Sequence, residues 1–239
     1  GHGRAASEGG AACAAPRSGV RRAGWRVPCD VAGWGVMNGP HGSAFSGRVG
    51  GGSAPALVVV DLVRAYTEPD GPFLLPDPAP AVAATAALVE AARRNDRPVL
   101  WTVVRYTHGL ADGGLFVRKV PALAAFAEDA EGSWGELVLE PAAGEPGIVK
   151  QYASAFFGTS LAATLHAAGV DTIVVAGGST PGLTPAAAPH PLNHRLRPQV
   201  VRDACADRTP ELHAQNLADL DAKYADVVDL SEALSHLRG

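Results

Sequence analysis

The chain has 239 residues, 47% of them hydrophobic and 18% charged, enough to bury one good core. A net charge of −4 gives no electrostatic case for nucleic acid or an anionic membrane, and the longest apolar runs are strand-sized, too short to span a bilayer. Three cysteines, Cys13, Cys29 and Cys205, are too few for a disulfide framework and lack metal-site spacing, which fits a reducing, cytoplasmic compartment.

In chain order, residues 1–36 are rich in Gly, Ala and Arg and show neither helical nor strand periodicity. The chain begins at Gly1 and its only methionine is Met37, so residues 1–46 are expected to be an unstructured or non-native extension before a folded domain at 47–239. Residues 56–60 are a continuous apolar run, as expected of a parallel strand buried on both faces. Residues 80–95 read as a helix with Pro80 in its first turn, and 98–104 as the next strand. A long connection covers 105–145, with some helix near 121–129. Then follow a short strand at 147–150, a helix at 159–168 and a strand at 171–176. The chain closes with a strand at 198–202, a helix at 210–224, a short strand at 225–228 and a helix at 231–237. Repeated β-α units with right-handed crossovers predict a three-layer α-β-α domain around a doubly wound, mostly parallel sheet.

In such sheets ligands sit beyond the carboxyl ends of the strands. Asp61, Lys150 and position 183 all lie at such ends. An Asp at a strand end acts either as a base or as a cap for the following loop. A Lys beside it keeps its charge and orients it, and the alternative is an exposed ammonium in water. Cys205 follows a later strand, as a candidate nucleophile or a small buried residue. Trp101, Phe73, Phe116 and Trp134 suit either core or pocket wall. His108, His190, His194 and His213 are scattered and make no metal-site pattern.

Three stretches carry a family resemblance: Val-Val-Val-Asp at 58–61, the K-x-x-x-S-A-F-x-G-T run from Lys150 to Thr159, and Val-Ala-Gly-Gly-Ser-Thr-Pro-Gly-Leu at 175–183. Together they resemble the isochorismatase-like cysteine hydrolases, in their N-carbamoylsarcosine amidase-like branch. The resemblance implies a triad in which Asp61 is general base, Lys150 orients and polarises, and a Cys at position 183 attacks. It further implies a non-proline cis bond after Gly178, and an oxyanion hole from Ser179 or Thr180 with the amide of residue 183. Ser154-Ala155-Phe156 would wall the pocket. Arg208 matches a position that binds a substrate carboxylate, with a salt bridge to Asp203 or Asp207 as the alternative. The implied activity is hydrolysis of a linear C–N bond, an amide or N-carbamoyl group, in a small substrate. No metal or cofactor is implied, and a homo-oligomer (dimer or tetramer) is expected. An isochorismatase-type vinyl ether hydrolase uses the same fold.

At the nucleophile position stands Leu183. Between 181 and 195 the family pattern, roughly S-G-C-V-R-A-T-A-V-D-A-L-x-H-G, is replaced by a segment with prolines at 181, 185, 189 and 191. Several exchanges, among them Pro185, His190, Pro191 and Arg195, correspond to single G-to-C changes, the signature of a base-reading artefact or a decayed gene. Leucine has no nucleophilic atom, so the chain as written forms no thioester. Pro189 and Pro191 would each cost a helix interior about 3 kcal/mol. The expectation is an inactive amidase-family protein, or a pseudoenzyme that binds or scaffolds.

Overall fold

Six stretches of strand-forming residues align into one sheet in the computed structural model, which describes residue 45, residues 47–178 and residues 189–239. β1 (Pro55–Val60) leads through α1 (Arg64–Thr67) and α2 (Ala79–Arg94) to β2 (Val99–Val104). α3 (Gly114–Lys119) and a 3₁₀ turn at Pro121–Phe126 lie in the long connection to β3 (Gly147–Lys150). α4 (Leu161–Ala167) precedes β4 (Thr172–Gly177), and α5 (Pro189–Asn193) precedes β5 (Arg197–Cys205). α6 (Pro210–Lys223), β6 (Asp226–Val228) and α7 (Leu230–Arg238) complete the chain.

The strand order is β3-β2-β1-β4-β5-β6, and every neighbouring pair is parallel. The chain winds outward from β1 to β3, returns to the middle, then winds outward from β4 to β6. The direction therefore reverses between β1 and β4, and a crevice opens beyond their carboxyl ends.

Period-two alternation explains the layers. Ala56, Val58 and Val60 of β1 pack with Leu161, Leu165 and Leu220 of α4 and α6. Leu57 and Val59 of the same strand pack on the other face with Leu88 and Ala92 of α2 and Ala233 and Leu237 of α7. Every β1 residue is buried, which is why its sequence is unbroken apolar rather than alternating. α6 starts where the Thr209 hydroxyl accepts from the Leu212 N–H, and α7 where the Asp229 carboxylate accepts from the Glu232 N–H. Among the described residues no helix is long and apolar enough to cross a membrane.

The observed elements depart from the sequence reading at α1, β5 and α5, and α3 lies in what read as connection. α1 has only four residues and no amphipathic signal; it is fixed by long-range backbone bonds from the N–H groups of Arg64 and Ala65 to the carbonyls of Glu136 and Trp134. β5 runs to Cys205, three residues past the expected end, because Arg202 and Asp203 are exposed while Ala204 and Cys205 return to the core. α5 carries both Pro189 and Pro191, yet it is only five residues long. Both prolines thus fall in a first turn, where backbone N–H groups have no helical carbonyl to meet. The helix-interior penalty expected for residues 189 and 191 does not arise.

Candidate active site

Asp61 is the residue after β1, in a left-handed conformation (φ 48°) that Asp adopts more readily than most side chains. Its backbone is tied by its own N–H to the Thr102 carbonyl (3.1 Å) and by its carbonyl to the Val63 N–H (2.8 Å). The carboxylate is buried and fully engaged. Oδ1 accepts from the Thr102 hydroxyl at 2.7 Å, and Oδ2 meets Lys150 Nζ at 2.7 Å. Lys150 ends β3, two strands from β1, and its side chain spans the width of β2 to reach the carboxylate. Its ammonium also donates to the carbonyls of Tyr152 (3.3 Å) and Ala153 (3.2 Å). All three of its protons therefore have acceptors.

A buried ion pair of this kind owes its persistence to that complete set of partners. Two tyrosines report the charge nearby. Burial pushes the Tyr66 phenol up, and the Asp61 carboxylate adds to the effect. The Tyr106 phenol is pushed up to about 12, mainly by burial, then by Asp112, Asp61 and Tyr152. Tyr66 and Tyr106 belong to a small apolar cluster with Phe73, Phe126 and Trp134, formed beneath the long connection after β2. Phe73, Phe116 and Trp134 are thus packing residues of this cluster, and Trp101 is a fully buried core residue whose indole N–H donates to Glu145 at 2.7 Å.

β4 reaches the same point. A Cβ on Gly177 would lie 2.1 Å from the Val60 carbonyl, and φ there is 119°, so only glycine fits. A Cβ on Gly178 would lie 2.8 Å from the Asp61 carbonyl. The Gly178 N–H donates to the Val60 carbonyl at 2.7 Å, which makes it a spacer rather than a free donor. Ser179, Thr180 and Leu183 lie outside the described residues, as does the expected cis bond.

Arg208 stands three residues beyond β5, with its guanidinium 68% exposed and a loose 3.7 Å contact to Asp207. Asp207 spends its carboxylate instead on the Arg208 N–H (2.6 Å) and the Asn216 amide (2.8 Å), while Asp203 accepts from the Leu230 N–H. Cys205 is buried beside Gly177, and burial pushes its thiol up to about 12, the reverse of what a nucleophile requires. Among the described residues no group of three or more His, Cys, Asp and Glu side chains is placed to hold a metal.

Thr102, Tyr66 and Tyr106 were invisible as site residues in the sequence because each reads as ordinary strand or aromatic core. So was the contact of Ser154 with His190, whose Oγ and Nδ1 are 2.5 Å apart across 36 residues.

A carboxylate and an ammonium facing each other at the switch point of a parallel sheet can shuttle a proton and stabilise negative charge. The Isochorismatase domain matches residues 55–232 of this chain. The chain belongs to the isochorismatase family. Maleamate amidohydrolase of Pseudomonas putida is 43% identical over 201 residues, 80% of this chain and 90% of that protein. N-carbamoylsarcosine amidase of an Arthrobacter species is 32% identical over 200 residues, 81% of this chain and 75% of that protein. The crystal structure of an isochorismatase family protein from Desulfovibrio vulgaris superposes with a TM-score of 0.66 at 30% identity, covering 75% of this chain and 96% of that one. The parallel sheet and three-layer fold of this chain match those of the family.

Proposed function

We propose that this chain descends from hydrolases of linear C–N bonds and binds a small, carboxylate-bearing amide or N-carbamoyl compound without cleaving it. The observation that carries the reading is the 2.7 Å Asp61–Lys150 pair, fully partnered and buried, in a chain whose nucleophile position is Leu183. In a complete triad the carboxylate would take the thiol proton and pass it to the leaving amine, and the thiolate would form a thioester. A leucine side chain has no lone pair to attack with, so that route stops at binding. Maleamate and N-carbamoylsarcosine, named by two of the relatives, both pair an amide or carbamoyl group with a carboxylate. Arg208 suits the carboxylate, because its side chain is exposed and its contact to Asp207 is long.

Calorimetric titration of the intact chain with maleamate and with N-carbamoylsarcosine tests this. Saturable binding is expected, weakened about 10- to 150-fold by Arg208→Ala, the range of a lost charge-assisted hydrogen bond. Absence of binding by either compound to folded protein would overturn the reading.

A further inference from the structure

Ser154 and His190 meet on the same rim as the Asp61–Lys150 pair. Ser154 follows Ala153, whose carbonyl receives the Lys150 ammonium, so the two sites share one loop. The hydroxyl geometry is specific. Ser154 Oγ accepts the Phe156 N–H at 3.2 Å and lies 2.5 Å from His190 Nδ1. In the tautomer with the imidazole proton on Nε2, Nδ1 accepts the Ser154 hydroxyl proton, the arrangement a general base requires. The ring is held by packing: Phe156 lies edge-on to His190 with centroids 6.5 Å apart, and the opposite relation, near-parallel stacking at 5.5 Å, fixes His194 on the same phenyl group. Ser154 is 5% exposed, close to the 8% of Asp61, while His190 is half-buried and open to solvent on part of its ring.

We propose that Ser154 and His190 are a nucleophile–base pair that accepts acyl or phosphoryl groups from small activated esters. A hydroxyl within hydrogen-bond reach of an imidazole held by its surroundings is the minimal unit of such chemistry. Ser154 Oγ bonds to the carbonyl carbon while its proton passes to His190. The C–O bond to the leaving group breaks, and His190 returns the proton to the departing oxygen; with a fluorophosphate, Oγ bonds to phosphorus, the P–F bond breaks and fluoride leaves while His190 takes the serine proton. Water then attacks the Ser154 ester with His190 as base, releasing the acid and restoring the serine. Esters are the expected class because an aryloxide is a far better leaving group than an amine, so one imidazole suffices to deliver its proton. Chemistry at Ser154 needs no sulfur at position 183, and it uses neither Asp61 nor Lys150 as base.

Diisopropyl fluorophosphate, followed by proteolysis and mass mapping of the intact chain, reads the pair directly. One adduct on the peptide containing Ser154 is expected. In His190→Gln, which keeps a hydrogen-bonding side chain but no base, the labelling rate should fall at least about 100-fold with the urea midpoint little changed. Absence of the Ser154 adduct in folded wild-type protein overturns the proposal, as does equal labelling of wild type and His190→Gln. Loss of maleamate binding with labelling intact would refute only the function proposed above.

Discussion

On the β1–β3 side of the rim, Asp61 and Lys150 are held by charge and hydrogen bonds, with Thr102 and two backbone carbonyls completing the set. On the β4–β5 side, the stretch from His190 to Leu196 is held mainly by ring packing on Phe156 and burial of Leu196, with polar contacts from Ser154 to His190 and from His166 to the His194 carbonyl. Polar networks are strict, since removing one member strands the others in a low dielectric. Packing contacts tolerate exchange provided volume and backbone needs are met. The strict side kept its chemistry-bearing residues in this chain. The tolerant side absorbed prolines and a histidine and still formed a helical turn.

The largest effect should therefore come from Lys150→Met. It leaves the Asp61 carboxylate buried without its cation and should lower unfolding free energy by about 3–5 kcal/mol, measured by urea titration. A loss below about 1 kcal/mol would mean that the pair is hydrated and weak. Thr102→Val removes one bond to a charged oxygen but keeps the side-chain volume, and a loss of about 1.5–3 kcal/mol is expected. An unchanged midpoint would place the carboxylate's support elsewhere.

Pro191→Ala probes the tolerant side and should shift stability by less than about 1 kcal/mol, because a first-turn N–H has no helical partner to regain. A gain near 3 kcal/mol would put Pro191 in a helix interior. The smallest expected effect is none at all: Cys205 should resist iodoacetamide at pH 8.5 until the protein is unfolded. A buried acid pushed up to about 12 stays a neutral thiol far above the usual thiol range, so little thiolate is present to react. Rapid alkylation of folded protein would show that the β4–β5 end opens.

Much of this was legible in the sequence. The apolar runs of β1 and β4, the Asp after one strand and the Lys ending another marked both the sheet and the rim where Asp61 meets Lys150, because fully buried parallel strands leave so plain a pattern. What could not be read was contact between distant residues. Thr102 looks like any β-branched strand residue until register sets it beside Val60, and α1 exists only because residues 134 and 136 return to bind it. The two prolines at 189 and 191 read as helix breakers, since sequence alone does not say that α5 is five residues long. The pairing of Ser154 with His190 had no local signal beyond a histidine where the family pattern has an aspartate.

Ammonia release from maleamate by protein whose mass confirms Leu183 tests the central claim most directly. The account predicts none above the no-protein background, since the retained carboxylate and ammonium have no thiol to activate. Turnover on the order of 1 s⁻¹ or faster, within the ordinary enzyme range, would contradict it.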